Sequence, residues 1–401
     1  MADTLFLAHR IPFPPDRGDK IRSFHELRHL AGLGRVHLAC FADDPADAAH
    51  LAGLREAIGP ALGEAHVEVR RTSRVAAGAR ALLEGRPVSL ALFDSPALRR
   101  FVARMLATGR IGTVFAFSGQ MGQFVPAGAG ARFVMDFGDV DSAKFEAYAA
   151  EGGAMAAIHR REGEKLAAYE AAVAARADVS LFVSEAEAAL FRRRSGLARA
   201  DVRALQNGVD LDYYDPAARF ERIEQPGPLI VFTGQMDYAP NIDAVRWFAA
   251  EVMPLLPDAR FAIVGRKPAE AVRRLAGPRT IVTGAVPDVR SWLAAADVVA
   301  APLRIARGIQ NKVLEAMAMA RPVVAAPAAF EGIEAEPGRH LLVADGAKAQ
   351  AEAIAGLLGD PERARAMGEA ARRRMEAAYR WEARLAPLAG IIGAEPRQAA
   401  A

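Results

Sequence analysis

The sequence predicts an α/β protein made of two parallel-sheet domains, and three observations predict it. Short apolar runs alternate with longer helix-patterned segments along the whole chain, as in βα units whose sheets are covered on both faces. The alternation breaks once, over residues 207–228, where Asn207-Gly208, Asp210, Asp212, Asp215-Pro216 and Pro226-Gly227-Pro228 concentrate turn and breaker signals. The length, 401 residues, suits two large domains at about 150 residues or more each. Composition agrees: 52% apolar and 25% charged residues describe a globular chain with ample core.

Taken in order, strands are expected at 4–8, 36–41, 66–69, 113–117, 132–137 and 179–183 in the first half. Helical patterns lie between them; over 21–33, Ile21, Phe24, Leu27 and Ala31 share one face. In the second half strands are expected at 229–233, 260–264, 280–283, 298–301, 322–326 and 341–343. Residues 207–228 read as the linker. The expected domains are therefore 1–206 and 207–380, two Rossmann-like folds facing one another across a cleft, with the chain from about 380 packing back on the first. Ligands of such sheets bind beyond the carboxyl ends of the strands. The tail after Pro396 is expected to be frayed.

Charge and cysteine content exclude several classes. The 51 basic and 48 acidic residues leave a net charge of +3, so binding of nucleic acid through bulk charge is not expected. The single cysteine, Cys40, rules out an internal disulfide and a Cys-rich zinc site and suggests a reducing compartment. Asp3 comes early, no basic segment precedes the first apolar run, and Pro12, Pro14 and Pro15 follow it, so a signal peptide is not expected. The longest uncharged stretch, 111–131, contains Gln120, Gln123, Pro126 and five glycines, and reads as a strand plus a loop instead of a membrane span. A cytoplasmic protein is expected, with peripheral contact to the membrane through Arg70, Arg71, Arg74, Arg80, Arg99, Arg100 and Arg104; ordinary solvated helix faces are the alternative for these arginines.

Four segments carry chemistry. The first is Pro14-Pro15-Asp16-Arg17-Gly18-Asp19-Lys20-Ile21-Arg22, between the first strand and the first helix. Gly18 permits close approach of a ligand, the helix start offers N–H groups to an anion, and Lys20 and Arg22 add charge. The structural alternative makes Asp19 an N-cap. The second is Met135-Asp136-Phe137-Gly138-Asp139-Val140-Asp141-Ser142. Asp136, Asp139 and Asp141 at a strand end could bind sugar hydroxyls or a metal or perform acid–base chemistry; alternatively Asp139 or Asp141 caps the next helix. Ser184 with Glu187 is a capping-box pattern and reads as structural.

The third segment, Thr233-Gly234-Gln235-Met236-Asp237-Tyr238-Ala239-Pro240-Asn241, ends a strand in glycine and opens a helix near Asn241. It reads as a phosphate loop or as a glycine turn with an Asn cap. The fourth is the most specific: Pro302-Leu303-Arg304-Ile305-Ala306-Arg307-Gly308-Ile309-Gln310-Asn311-Lys312-Val313-Leu314-Glu315-Ala316-Met317-Ala318. A helix start after Gly308, with Arg304, Arg307, Gln310, Asn311 and Lys312, would present donors and positive charge to a diphosphate. Glu315 lies one turn beyond Asn311 and could accept from ribose hydroxyls. A solvated Lys312–Glu315 pair is the alternative.

With these segments in view, most of the chain resembles glycosyltransferases of the two-Rossmann GT-B type, similar to family 4. The resemblance is strongest from Asn207-Gly208-Val209-Asp210 through the Gly234 segment to Lys312-Val313-Leu314-Glu315-Ala316-Met317-Ala318. The segments around Gly18 and Asp136 further resemble sugar transferases found beside exosortase/PEP-CTERM export systems, which are associated with exopolysaccharide gene clusters. The resemblance implies Glu315 as the ribose-binding glutamate and Gly234 beside the donor diphosphate. It places Gly18 near the reacting centre and Gly265, Gly284 and Val286 near the base. Two departures stand out. Arg307 occupies the position of a sugar-facing glutamate. The loop after Gly234 lacks a basic pair, with Gln235 and Asn241 present instead.

These readings imply retaining transfer of a sugar from a nucleotide-diphosphate donor to a saccharide or polyprenyl-linked acceptor, with no cofactor and no metal. Asp136, Arg307 and Lys312 are the expected catalytic groups. Preorganised positive charge would stabilise the leaving diphosphate. Two alternatives are a nucleotide-sugar 2-epimerase on the same fold, which the acidic cluster would serve, and a non-catalytic scaffold that binds nucleotide-sugar, which Arg307 would explain.

Overall fold

The computed structural model describes residues 2–393 apart from 151, 222 and 307. The expectation for the tail after Pro396 therefore lies outside the described residues, as does every expectation for Arg307. The chain forms two compact units, Met1–Gln206 with Leu385–Ala401, and Asn207–Arg384.

The first unit holds β1 (Asp3–Ala8), β2 (Val36–Ala42), β3 (Leu62–Val69), β4 (Ile111–Phe117), β5 (Arg132–Gly138), β6 (Val179–Phe182) and β7 (Val202–Ala204). They form one sheet in the order β3-β2-β1-β4-β5-β6-β7, parallel throughout. The second unit holds β8 (Leu229–Thr233), β9 (Arg260–Val264), β10 (Thr280–Gly284), β11 (Val298–Ala301), β12 (Val323–Ala325) and β13 (Leu342–Val343). Their order is β10-β9-β8-β11-β12-β13, again all parallel.

Burial explains why these runs become strands. Every residue of β2 and of β8 is buried, as a central parallel strand requires, whereas β10 at a sheet edge is only half-buried. Aromatic side chains anchor the helices to the sheets. Phe182 lies 4.8 Å from Phe191 and, in the second unit, Phe248 lies 4.7 Å from Phe261, while within the first sheet Phe6 of β1 stacks on Phe115 of β4 at 5.4 Å. Each fully buried side chain of this size contributes roughly 1.5–3 kcal/mol.

β7 is a strand for which the sequence gives no expectation. It has three residues, one of them the charged Arg203, and lies at the sheet edge. Residues 207–228, expected as a linker, open the body of the second unit. Val209 donates to the Tyr379 carbonyl at 2.7 Å, and Leu211 and Tyr214 are buried. The Arg372 guanidinium ties the carbonyls of Tyr214 (2.6 Å) and Ala318 (2.9 Å) together. A Cβ on Gly208 would fall 2.8 Å from the Trp381 backbone, so the Asn-Gly pair serves close packing here.

The expected basic surface is largely neutralised. Arg70 pairs with Asp43 at 3.0 Å, Arg80 and Arg99 both pair with Asp94, and Arg104 pairs with Glu64 at 2.8 Å. Among the described residues no helix is long and apolar enough to cross a membrane.

In each sheet the strand order reverses once, between β1 and β4 and between β8 and β11. Connections leave the sheet to opposite faces there, which opens a crevice at the carboxyl ends of the two strands. The segment around Gly18 follows β1. The segments beginning at Gly234 and Pro302 follow β8 and β11.

Candidate functional site

In the first unit the helix Gly18–Leu33 starts at Gly18, with Arg17 at the cap position and no side-chain cap bond. Asp19 sits inside the first turn and is not the cap. Its carboxylate accepts from Arg10 Nη1 (2.7 Å) and lies 2.6 Å from Arg17 Nε and 3.1 Å from His9 Nε2. Lys20 and Arg22, expected to offer charge to an anion, are both buried and paired. Lys20 Nζ lies 2.5 Å from Asp47 Oδ1. Arg22 donates to Asp136 Oδ2 through Nε (3.0 Å) and Nη2 (2.5 Å), and to the Leu205 carbonyl through Nη1 (2.7 Å).

Sequence reasoning missed Glu26, one turn beyond Arg22 and completely buried, with Oε1 3.0 Å from Arg22 Nε. Burial, reinforced by the charge of Asp136, pushes its carboxyl well above the usual range. The i,i+4 spacing of Arg22 and Glu26 was the available signal.

Asp136 at the end of β5 has no solvent exposure; its second oxygen accepts from the Gly138 N–H at 2.8 Å. It holds Arg22 and the turn at Gly138 and has no surface for a ligand. Asp139 lies past that turn. Burial, with the charge of Glu187 nearby, pushes its carboxyl up to about 7, and Oδ1 has no hydrogen-bond partner. Asp141 opens the helix Asp141–Ala150, 4.0 Å from Lys144 Nζ. Ser184 caps its helix by accepting from the Glu187 N–H, and the Glu187 carboxylate accepts from the Val140 N–H at 2.7 Å. The three aspartates make different hydrogen bonds and ion pairs, although the charge of Asp141 adds to the rise at Asp139. Among the described residues no three His, Cys, Asp or Glu side chains are grouped so as to hold a metal ion.

In the second unit the expected residues do converge. The Gly234 N–H donates to the Val264 carbonyl at 3.0 Å, binding the end of β8 to the end of β9. A Cβ on Gly265 would fall 1.6 Å from the Gly234 carbonyl oxygen, and one on Gly234 would meet Asn241 Nδ2 at 2.8 Å and Lys312 Nζ at 3.1 Å. Only glycines allow this approach. The helix Ala239–Trp247 begins two residues before Asn241, with Pro240 in its first turn, so Asn241 is not a cap. Its buried amide instead donates to the Gln235 carbonyl (2.8 Å), and Oδ1 accepts from Lys312 Nζ (2.6 Å).

Lys312 lies in the first turn of the helix Asn311–Ala318, where the Gln310 side chain makes no cap bond. Its ammonium sits 4.2 Å from the centre of the Phe232 ring. Burial pulls its pKa down to about 7 against the opposing pull of Glu315. Burial pushes Glu315 up to about 7, although the Tyr214 hydroxyl donates to it. Tyr214 was hidden in the segment read as a linker, with only its aromatic character as a signal. Asn207 Nδ2 donates to Asn311 Oδ1 at 3.0 Å, and Gln310 Nε2 to the Gly308 carbonyl at 3.3 Å, with Gly308 at φ +65°. Gln235 Nε2 donates to Asp237 at 2.7 Å.

Arg304 does not join the group; both arms of its guanidinium are taken by Asp243, at 3.1 and 2.6 Å. Gly284 ends the edge strand β10 with φ +69°, and Val286 follows, half-exposed.

Lys312, Asn241, two helix starts without side-chain caps and Glu315 thus meet where β8 and β11 end. This arrangement suits an anion joined to a hydroxyl-bearing group: positive charge and N–H donors on one side, a carboxylate one turn away. Residues 227–360 match the family model described as glycosyl transferases group 1. Comparison of the sequence with curated proteins gave no match. Among solved structures, sucrose-phosphate synthase from Thermosynechococcus elongatus is similar with a TM-score of 0.70 and 18% identity, covering 98% of each chain. HepE of Anabaena in complex with UDP and glucose gives 0.68 and 16%, covering 98% of this chain and 100% of that one. WaaG, a glycosyltransferase involved in lipopolysaccharide biosynthesis, gives the same values. The chain therefore has the GT-B fold, with its match to the group 1 glycosyl transferases lying in the second unit.

Proposed function

We propose that this chain is a retaining, family 4-like glycosyltransferase that moves a sugar from a nucleoside-diphosphate donor to a saccharide or polyprenyl-linked acceptor. The carrying observation is the convergence of Lys312 and Asn241 on the Gly234–Gly265 contact, with Glu315 one turn further along the same helix beside Lys312. The group 1 family match over the same unit supports it, as does the binding of UDP-glucose by the similarly folded HepE. The motifs around Gly18 and Asp136 favour a role in exopolysaccharide synthesis beside exosortase/PEP-CTERM export.

In this reading Gly234 lets the diphosphate approach the backbone, and Gln235 and Asn241 border it. Lys312, Gln310, Asn311 and the helix start after Gly308 supply donors and charge. Glu315 accepts from the ribose hydroxyls, and Gly265, Gly284 and Val286 line the base. Cleavage of the sugar–phosphate bond leaves negative charge on the diphosphate. Donors already in place stabilise that charge more in the transition state than in the ground state, and no metal is required. Arg22, held by Asp136 and Glu26, keeps the carboxyl ends of the first sheet rigid; Gly18, Asp19, Asp139 and Asp141 lie on the acceptor-binding unit. Asp136 acts here by positioning Arg22.

The test incubates the protein with a panel of nucleotide-sugars, with and without saccharide and polyprenyl-linked acceptors. Release of nucleoside diphosphate that depends on acceptor is expected for one donor. Conversion of the donor sugar without acceptor, as an epimerase would give, contradicts the proposal, as does binding with no turnover on the whole panel.

A further inference from the structure

Two neighbouring tyrosines beside the Glu315 helix have opposite surroundings. Tyr213 is 42% exposed, with the Arg290 guanidinium 3.9 Å from the centre of its ring. Tyr214 is 9% exposed, and its ring meets that of Tyr213 edge-on at 4.9 Å. The Tyr214 hydroxyl donates to the Glu315 carboxylate. A buried phenol needs such a partner, whereas phenylalanine would fill the same space without one. Packing therefore does not account for the hydroxyl.

The segment that carries Tyr214 is tied to the helix Asn311–Ala318 at both of its ends. At one end, Asn207 Nδ2 donates to Asn311 Oδ1 at 3.0 Å. At the other, Arg372 Nη1 donates to the Tyr214 carbonyl (2.6 Å) and to the carbonyl of Ala318, the last residue of that helix (2.9 Å). The Arg372 guanidinium is itself held by Glu376, which accepts from Nε at 2.7 Å. Between the two ties the Tyr214 N–H donates to the Asp210 carbonyl at 2.8 Å. The phenol thus reaches Glu315 from a backbone already fixed on that helix, so the contact is set before any ligand arrives.

The groups that act on Glu315 are Lys312 on its own helix and the two tyrosines of this segment. Burial, reinforced by the charge of Glu315, raises the Tyr214 phenol well above its usual range, so it stays protonated and donates. A donor to a carboxylate favours the ionised form, and an ionised carboxylate only accepts. Two vicinal ribose hydroxyls call for such an acceptor.

We propose that Tyr214 is a positioning residue for nucleoside recognition: its hydroxyl, bonded to the Glu315 carboxylate, keeps that group turned to accept from the two ribose hydroxyls, so that the site selects ribose over sugars lacking them. The proposal rests on the transferase reading, in which Glu315 meets the ribose, and deepens it by assigning the selection to a second residue.

The experiment titrates the whole protein by calorimetry at about pH 7 with UDP, GDP and ADP, each beside its 2′,3′-dideoxy form. The two forms share base and diphosphate, so their affinity ratio isolates what the ribose hydroxyls add. Wild type should bind one of the three at least about tenfold tighter than its dideoxy form, as a hydrogen bond to a charged group provides. Tyr214→Phe keeps the ring in its packing and should cut that ratio at least about fivefold. Glu315 titrates at about 7, and a rise of about one pH unit lowers its ionised fraction at pH 7 by roughly that factor. Affinity for the dideoxy form should stay within about twofold. In a Glu315→Gln background, Tyr214→Phe should leave the ratio where Glu315→Gln alone puts it, because the hydroxyl acts through the carboxylate. A wild-type ratio in Tyr214→Phe overturns the proposal and leaves the ribose reading of Glu315 standing. So does an equal loss of affinity for both forms, which a merely structural tyrosine would give. Wild type that binds both forms equally, or binds none of the nucleoside diphosphates, overturns the ribose reading and the proposal with it.

Discussion

Lys312 and Glu315 lie one turn apart, and burial brings both to pKa values of about 7 from opposite sides. A diphosphate beside Lys312 would raise its pKa, and ribose hydroxyls donating to Glu315 would lower that of the carboxyl. The sign of proton exchange on binding then depends on pH. At about pH 8 free Lys312 is mostly neutral and Glu315 already ionised, so binding takes up protons; at about pH 6 Lys312 is charged and Glu315 mostly protonated, so binding releases them. Calorimetry of nucleoside diphosphate in buffers of different ionisation enthalpy reads this directly. Lys312→Gln should abolish uptake at the higher pH and Glu315→Gln the release at the lower. Exchange of one sign at both values would contradict the assignments. In the first unit, Arg22→Met leaves buried Asp136 without its counter-charge and should cost about 3–5 kcal/mol in denaturant unfolding. A loss below about 1 kcal/mol would show that the pair is not what holds the turn at Gly138. The two segments that meet at the ends of β8 and β11 were legible in sequence as clusters of glycine and polar residues around Gly234 and Lys312. What each residue touches was not, because the partners are remote: Arg22 and Asp136 are 114 positions apart, and Asn241 and Lys312 are 71.

The βα units themselves were legible because a strand buried on both faces reads as a nearly continuous apolar run, as β11 does throughout and β2 and β8 do apart from His37 and Thr233. β7 lacked that signal, since an edge strand of three residues with Arg203 in it has no continuous run. The helix start before Asn241 was misplaced because the Asn looked like a cap, while Pro240 in the first turn was the better marker. The meeting of the loops after β8 and β9 depends on Gly265, where an added Cβ would strike the Gly234 carbonyl. Gly265→Ala should therefore destabilise by about 1–3 kcal/mol or more and also weaken nucleoside diphosphate binding, because the Gly234 loop must move. Gly284→Ala gives the contrast. Its φ is +69°, but a Cβ there meets nothing within 4 Å, so only backbone strain of about 1–2 kcal/mol is expected. Thermal unfolding and calorimetry of the two variants check the ranking; a Gly265→Ala protein that keeps wild-type affinity would separate the loop contact from the site.

Across the molecule, each parallel sheet reverses its strand order once, and the chemistry-bearing segments follow the strands at those reversals. The first unit puts its charges there into internal pairs, Arg22 with Asp136 and Lys20 with Asp47. The second keeps Lys312, the uncapped helix starts and Glu315 together, and among the described residues Glu315 is the carboxylate whose charge acts on Lys312. That difference is why the proposed reading puts the donor diphosphate on the second unit. The account is tested most directly by calorimetric titration of the whole protein with nucleoside diphosphates, comparing wild type, Lys312→Gln and Glu315→Gln. One nucleoside diphosphate should bind wild type at a single site. Lys312→Gln and Glu315→Gln should each weaken it by about 1.5–3 kcal/mol, roughly ten- to a hundredfold, the loss of one charged hydrogen bond. Wild-type affinity in both variants, or no binding of any nucleoside diphosphate, would contradict the account.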